Sequence, residues 1–272
     1  MDRYAVLGNP VGHSLSPEIH GLFARQTGER LQYSALEVPT DQFPAFVAGL
    51  HEEGFRGMNV TVPFKQEACR LSESLSERAA AAGAVNTLIR TETGWRGDNT
   101  DGVGLVTDLQ QNLGLSLADA RILLLGAGGA ARGVVSPLLA TSPALLHIAN
   151  RTAEKAQQLA QHFATAGPLR GSGLTGPFES GYDLIINATA ASLGGQLPAI
   201  PDNLLAEGGA VYDMMYASEP TAFVEWGKRL GATIASDGFG MLVEQAAESF
   251  FLWRGVRPDT AAVIERLRPG RA

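Results

Sequence analysis

"RILLLGAGGAARG", residues 121–133, sets a run of large aliphatic residues directly before a cluster of glycines and alanines. The apolar run 121–126 reads as a buried strand, and 129–140 as a helix. Gly126, Gly128 and Ala131 then fit the G-x-G-x-x-G/A spacing at a strand-to-helix turn, the context that gives this motif its meaning. The first glycine permits the tight turn, and the second lets the main chain approach a pyrophosphate. The small third residue lets helix and strand pack closely, while the helix N-terminus offers unpaired N–H groups. A glycine-rich turn that only joins two elements is the plain alternative.

The next strand, 144–150, bears on which dinucleotide such a turn would hold. A reader of the ribose 2′-hydroxyl is an acidic residue at the end of that strand. Here "ANRTAEK", 149–155, has no acid at the strand end. Asn150, Arg151 and Thr152 offer donors instead, and a guanidinium can make a fork of hydrogen bonds to a phosphate. That pattern favours NADP over NAD. Thr152 also suits a helix N-cap, and an ordinary solvated arginine is the alternative for Arg151.

Working outward, helix 152–163 is followed by strands at 182–187, 209–214 and 232–236, with a helix near 219–230. Residues 167–181 read as loop plus a short strand. The first hundred residues give strands at 3–8, 32–38 and 55–62, then two strands within 84–99 around a Thr-Glu-Thr-Gly turn. Helices are expected at 17–27, 41–50, 65–71 and 76–83, then 102–113, and at the end 239–254 and 258–267. Strands alternating with helices imply an α/β layered architecture with much parallel pairing.

A chain of 272 residues has room for one large or two modest domains. Its 32 glycines exceed the usual share of about 7% and suit many tight turns. A net charge of −7 argues against general nucleic-acid or membrane-surface binding, which favours basic patches. The single cysteine, Cys69, excludes an internal disulfide and a cysteine-rich metal site. No run of eighteen apolar residues occurs and the N-terminus lacks an apolar signal core, so a cytoplasmic protein without a membrane span is expected.

Three stretches of the first half carry chemistry-bearing side chains. In "GNPVGHSLSPEIH", 8–20, Ser16 precedes a proline as a helix N-cap would, which leaves Ser14 without a structural task. Two hydroxyls beside a helix N-terminus would also suit a carboxylate. In "DNTDGVG", 98–104, Asn99, Thr100 and Asp101 are all competent N-caps. In "GMNVTVPFK", 57–65, Val60, Val62 and Phe64 read as an extended apolar segment entering a core, and the run ends on Lys65. The five histidines form no metal-ligand pair and read as structural or surface residues, and no G-x-S-x-G elbow appears.

Taken together, "GNPVGHSLSPEIH", "GMNVTVPFK", "AGAVNTL", "GDNTDGVG", "GAGGAAR", "NRT", "INAT", "YDMMY" and "DGFGMLVEQA" occur in one order along nearly the whole chain. In that order the chain resembles the NADP-dependent shikimate dehydrogenases of the shikimate/quinate dehydrogenase family. The resemblance implies a substrate-binding domain, 1–101 completed by helices within 239–272, and a Rossmann-type NADP domain, 102–238, with the active site in the cleft between them. It implies reversible reduction of 3-dehydroshikimate to shikimate by NADPH, within chorismate and aromatic amino-acid biosynthesis. Lys65 and Asp101 match the catalytic pair. Ser14 and Ser16 match the serines that hold the substrate carboxylate, with Tyr216 nearby, and Thr61, Lys65, Asn86, Asp101 and Gln245 match the residues around the ring hydroxyls. Gly126, Ala127, Gly128, Gly129 and Ala130 match cofactor contacts. So do Asn150, Arg151, Thr152, Ala153, Glu154 and Lys155, and also Thr189, Met214 and Gly238; Glu77 matches a weaker one. The family commonly has serine after "NAT", where this chain has Ala190 and Ala191 before Ser192.

Hydride transfer to a ketone builds alkoxide character on its oxygen, so a cation and a proton source belong there. Desolvation would lower a lysine's pKa and a nearby carboxylate would raise it. A coupled proton belongs to the pair, and the sequence leaves open which member is the base. A quinate/shikimate paralogue and a non-catalytic metabolite sensor on the same fold remain alternatives. The oligomeric state stays open, a homodimer included. Gly102, Gly104 and Gly238 would suit a hinge between the halves.

Overall fold

A computed structural model of the chain describes residues 1–179 and 181–268. It divides into two compact units, Met1–Gly104 with Leu242–Arg266, and Leu105–Met241 with the residues from Leu267 onward. These limits differ by a few residues from the expected 101 and 238, and the chain leaves the first unit again at Leu267. Part of the expected closing segment, 269–272, lies outside the described residues.

The first unit holds β1 (Asp2–Gly8), α1 (Ser16–Thr27), β2 (Leu31–Glu37), α2 (Phe43–Glu52), β3 (Gly57–Val60) and α3 (Lys65–Leu71). There follow β4 (Ser74–Leu75), α4 (Glu77–Ala82), β5 (Thr87–Arg90), β6 (Trp95–Asp98) and the start of α5 (Asp101–Thr107). Its sheet runs β2-β1-β3-β5-β6-β4. β1 pairs in parallel with β2 on one side and β3 on the other, whereas β5 is antiparallel to both β3 and β6. β4 and β6 are again parallel, so the expectation of much parallel pairing holds for three of this sheet's five strand pairs. The Thr-Glu-Thr-Gly turn folds β5 and β6 into a hairpin, and a hairpin must be antiparallel.

The second unit holds β7 (Arg121–Leu125), α6 (Gly129–Ala140), β8 (Leu145–Asn150), α7 (Ala153–His162), β9 (Leu169–Gly173), β10 (Tyr182–Asn187), β11 (Leu205–Asp213), α8 (Ala222–Arg229) and β12 (Ile234–Ser236). All six strands are parallel, in the order β12-β11-β10-β7-β8-β9. Numbered within the unit this is 6-5-4-1-2-3, the doubly wound order of dinucleotide-binding folds. β7, β8 and β10 are mostly buried on both faces, so "RILLL", "LLHIAN" and "YDLIIN" read as mainly apolar runs. Leu123, Leu125, Ala149, Tyr182, Ile185, Val211 and Phe223 fill one side of that sheet.

Helix α9 (Phe239–Arg254) begins in the second unit and runs on into the first, followed by α10 (Ala261–Leu267). Its Trp253 ring lies so close over Gly57 that a Cβ there would collide with the indole. On the other side of the first sheet, Leu7, Val38, Phe43, Met58, Phe64, Val85 and Leu88 form the core. Phe43 and Phe64 stack with ring centroids 4.5 Å apart. The expected helix 102–113 forms in two parts, α5 and a wide π-type turn at Asp108–Asn112. Asp108 is buried there, accepting from the hydroxyl of Tyr212 at 2.6 Å.

Candidate active site

In doubly wound sheets, ligands bind beyond the carboxyl ends of the strands where the strand order reverses. Both units have such a point. In the first it lies between β1 and β3, whose ends meet closely: a Cβ on Gly8 would stand 2.5 Å from the methyl group of Thr61. The segment bearing Ser14 and Ser16 leaves β1 here, and the segment bearing Thr61 and Lys65 leaves β3.

β3 ends at Val60, sooner than the expected 62. The chain turns through Thr61–Phe64, the amide of Phe64 donating to the Thr61 carbonyl at 3.0 Å. Val62 therefore points outward, 69% exposed, which corrects its reading as a core residue; Val60 and Phe64 are buried as expected. Lys65 is the first residue of α3, so it does not end a strand. An ammonium at the positive end of a helix is poorly placed alone, and a carboxylate answers it: Lys65 Nζ donates to Asp101 Oδ2 at 2.6 Å. The side chains are 27% and 11% exposed, so the pair is neither sealed nor fully hydrated. The Lys65 carbonyl, accepting from the amide of Val85 at 2.8 Å, fixes the root of the side chain.

Asp101 is free for that role because a neighbour takes the capping one. Asn99 Oδ1 accepts from the Asp101 amide at 3.1 Å. The other Asp101 oxygen, Oδ1, accepts from Asn86 Nδ2 at 2.8 Å. Asn86 also donates to Thr100 Oγ1 and Gln245 Oε1, at 2.9 and 3.2 Å, and its own Oδ1 accepts from the Thr100 amide at 2.8 Å. Two hydrogens serve three acceptors, so these polar groups are held in place yet retain capacity for an incoming hydroxyl.

Beneath them lies a buried polar layer. Asn59 Nδ2 donates to Ser249 Oγ at 3.0 Å and to the Asn86 carbonyl at 3.2 Å, and Thr87 bridges to Asn86 Oδ1 at 2.9 Å. Farther along, Asp98 accepts from Ser76 Oγ and Arg78 Nε, both at 2.6 Å, and from the Asn99 amide at 2.7 Å. Burial works against its charge, but these donors outweigh it and hold the carboxyl below its ordinary range. Asn59, Thr87, Asp98 and Ser249 do not stand out in a motif reading of single side chains, and Thr100 does so only as a possible N-cap. Their signal is a polar residue inside a buried strand, as in "GMNV", where all four residues are buried.

At the other end of the site, the sequence reading of the two serines reverses. Ser16 makes no side-chain cap. It is Ser14 that has the structural task, its Oγ accepting from the Ser16 amide at 3.3 Å and donating to Ser16 Oγ at 3.1 Å.

In the second unit the order reverses between β7 and β10. Gly126 follows β7 with φ +116°, a conformation that favours glycine. A Cβ there would also press on Ala188 and Thr189, which follow β10. Gly128 and Gly129 differ: a Cβ on either would meet nothing within 4 Å. Protein packing does not demand glycine at these two positions. Open space over a helix N-terminus does suit the pyrophosphate of NADP(H), and Ala127 and Ala130 keep the rest of the turn small. Gly128→Ala is accordingly expected to leave the melting temperature within about 3 °C while raising the NADP+ KM about tenfold, measured by thermal unfolding and steady-state kinetics.

Arg151, Thr152, Glu154 and Lys155 are exposed at the end of β8 and the start of α7, with Ala153 half-buried between them. Arg151 and Lys155 enter no ion pair among the described residues, leaving two cations for a phosphate. Asn150 Nδ2 donates to the Thr152 carbonyl at 2.9 Å, shaping the turn. Thr152 occupies the N-cap position without a side-chain capping bond, against the capping alternative. Thr189 Oγ1 donates to Asn187 Oδ1 at 2.7 Å. Ser192 is buried with its hydroxyl toward Asn187 at 3.4 Å, so it does not replace the hydroxyl missing after "NAT". Met214 is buried, and its carbonyl leaves no room for a Cβ on Gly238. Gly104 is likewise packed against Gln245. These two glycines have a close-packing task beside the hinge task expected of them. Tyr216, half-buried, stands edge-on to Phe239 at 6.0 Å, and burial pushes its phenol up. Glu77 is exposed in the first turn of α4, within the first unit.

Three family models match the chain in succession. They are the shikimate dehydrogenase substrate binding domain over residues 6–88, shikimate / quinate 5-dehydrogenase over 108–193, and the shikimate 5′-dehydrogenase C-terminal domain over 238–268. The shikimate dehydrogenase (NADP(+)) of Chromohalobacter salexigens is 56% identical over 272 residues, covering 98% of each chain. An Ael1 enzyme from Pseudomonas putida superposes with a TM-score of 0.94 at 44% identity, over 98% of both chains. The shikimate 5-dehydrogenase of Thermus thermophilus, solved in complex with NADP(H) and shikimate, superposes with a TM-score of 0.86 at 33% identity, over 97% of this chain and 98% of that one. With two α/β units in this order and relatives of this closeness along its whole length, the chain belongs to the shikimate/quinate dehydrogenase family.

Proposed function

We propose that the protein is an NADP-dependent shikimate dehydrogenase that interconverts 3-dehydroshikimate and shikimate in aromatic amino-acid biosynthesis. The observation that carries the chemistry is the half-open Lys65–Asp101 pair, braced by Asn86 and Gln245 at the reversal point of the first sheet. A cytoplasmic enzyme acting on free small molecules fits the acidic net charge, and no helix among the described residues is long and apolar enough to cross a membrane.

NADPH, when bound, supplies the hydride. As the carbonyl carbon of 3-dehydroshikimate takes it, the carbonyl oxygen gains negative charge beside Lys65. The Lys65–Asp101 pair stabilises that charge and delivers the proton that completes the hydroxyl. In the oxidative direction the same pair takes the hydroxyl proton. A bond of 2.6 Å joins the two groups, so they act on the substrate oxygen together. Asn86, Thr61 and Gln245 orient the ring hydroxyls, Ser14 and Ser16 hold the carboxylate, and Tyr216 lies nearby. A small substrate offers few apolar contacts, so convergent polar groups must fix its orientation. Arg151, with Asn150, Thr152 and Lys155, receives the 2′-phosphate, and the turn 126–130 receives the pyrophosphate.

The test is the appearance of NADPH absorbance when shikimate and NADP+ are mixed with the protein. Quinate is the second substrate to try, since the matched family model spans both dehydrogenases. Shikimate with NADP+ is expected to exceed quinate, and NADP+ to exceed NAD+, each by about tenfold or more in kcat/KM. No turnover of shikimate across a broad pH range would overturn the reading and favour a sensor.

A further inference from the structure

Tyr33 lies on β2 opposite Tyr4 of β1, and Tyr4 lies opposite Gly57 of β3. Strand alternation puts Asn59, two residues beyond Gly57, on that same face of the sheet. The Tyr33 hydroxyl donates to Asn59 Oδ1 at 2.7 Å. Burial raises its pKa well above the ordinary phenol value, against an opposing pull from the Ser16 side chain beside it, so it stays a proton donor at any working pH.

The Ser14 hydroxyl donates to Ser16 Oγ, the Ser16 side chain lies beside the Tyr33 phenol, and the phenol donates to the Asn59 side-chain carbonyl. From the Asn59 amide the bonds continue through Thr87 and the Asn86 carbonyl to Asn86, and from Asn86 to Asp101. The expected carboxylate clamp and the expected proton-transfer pair thus stand at two ends of one partly buried polar cluster within the first unit. Each bond in such a cluster helps fix the hydroxyl rotor of the next.

The other side of the ring is held without hydrogen bonds. His20, wholly buried, stacks on Tyr33 with centroids 4.2 Å apart and planes 7° from parallel, and Trp253 packs beside it at 5.4 Å. Among the described residues neither His20 ring nitrogen has a hydrogen-bond partner. Burial lowers its pKa to about 3, against an opposing pull from Asn59, so it is a neutral platform at neutral pH. A flat, uncharged ring pins Tyr33 in place and leaves the phenol's polar end to Ser16 and Asn59.

We propose that Tyr33 is a positioning residue of the reaction, standing between Ser16 at the substrate carboxylate and the Asn59–Asn86 scaffold that aims Asp101. This rests on the reading of Ser14 and Ser16 as the carboxylate clamp. Loss of the hydroxyl removes a polar neighbour of the Ser16 side chain and leaves Asn59 Oδ1 without its Tyr33 donor, so the enzyme's preference for a carboxylate at that end of the ring is lost before its chemistry.

The test compares shikimate with its methyl ester in wild type, Tyr33→Phe and Ser16→Ala. The measured quantity is the acid-to-ester ratio of kcat/KM. Wild type is expected to favour the acid strongly, and both variants to lower the ratio about tenfold, the size of one lost hydrogen bond to a charged group. In Tyr33→Phe the loss is expected in the shikimate KM, with the NADP+ KM unchanged. A residue that merely supports the fold would lower acid and ester alike and leave the ratio intact. If Ser16→Ala collapses the ratio and Tyr33→Phe does not, this inference falls while the carboxylate clamp stands. If neither variant moves the ratio, the clamp itself is refuted and the inference falls with it. Should Tyr33→Phe fail to accumulate, Tyr33→Met removes the hydroxyl while keeping an apolar filler, and the same ratio decides.

Discussion

Lys65→Ala should lower kcat for shikimate oxidation by about a thousandfold, within the span of general acid–base catalysis. The dissociation constant for NADP+, read from cofactor fluorescence, should stay within about twofold, because the cofactor-binding turn lies in the other unit. Two losses combine in this variant. The forming or departing hydroxyl proton loses its partner, and Asp101 keeps a negative charge where the reduction builds a second one. Asp101→Asn removes the carboxylate but leaves Lys65 able to bond the new amide oxygen, so its loss should be smaller. The double variant should be little worse than Lys65→Ala, since groups that act as a unit are not additive. Near-wild-type turnover in Lys65→Ala would remove the lysine from the mechanism.

The second large effect is on cofactor choice. Arg151→Ala should raise the NADP+ KM about thirtyfold, consistent with one or two charge-assisted hydrogen bonds. The NAD+ KM should move by less than about threefold. Arg151 is exposed and has no ion pair among the described residues to give up, so the change should read out binding rather than stability. The wild-type preference for NADP+ should also weaken as salt is raised, since a solvent-exposed charge pair is screened over roughly 10 Å at 0.1 M salt. Equal losses with both cofactors would leave the 2′-phosphate without its reader.

Much of this was legible in the sequence, unevenly. In the cofactor unit β7, β8 and β10 could be read directly because parallel strands buried on both faces leave mainly apolar runs, whereas β9, "LRGSG", carries no such run. "YDLIIN" is a strand over its full length. β4, with two exposed residues, leaves no such trace. "GMNVTVPFK" misleads in one respect. Alternation carries the eye to Val62, whereas Pro63 and a tight turn have already ended the strand. Lys65 and Asp101 are legible as types in a motif, but their mutual distance follows from Val85, Asn86 and Asn99, which hold the two roots. The serines show the limit most plainly. A proline after Ser16 signals a cap, yet the cap bond is absent and Ser14 does the local work. Hydrogen-bond direction depends on where Tyr33 and Asn59 arrive from other strands, and one segment's letters do not contain that.

Ser249, Gln245 and Trp253 all sit on α9, and each completes something begun in the first hundred residues: the polar layer around Asn59, the brace on Asn86, the cover over Gly57. The substrate-binding half is therefore unfinished while the ribosome is making the rest. A nascent chain that has emerged only through Gly104 exposes Asn59 and Thr87 without Ser249 and bares the Tyr4–Tyr33–Gly57 face, until some 140 further residues have been translated. The cofactor unit carries its six strands in one continuous stretch and can close before then. Synthesis order thus leaves the N-terminal segment waiting on one late helix for its polar layer, its brace and its cover.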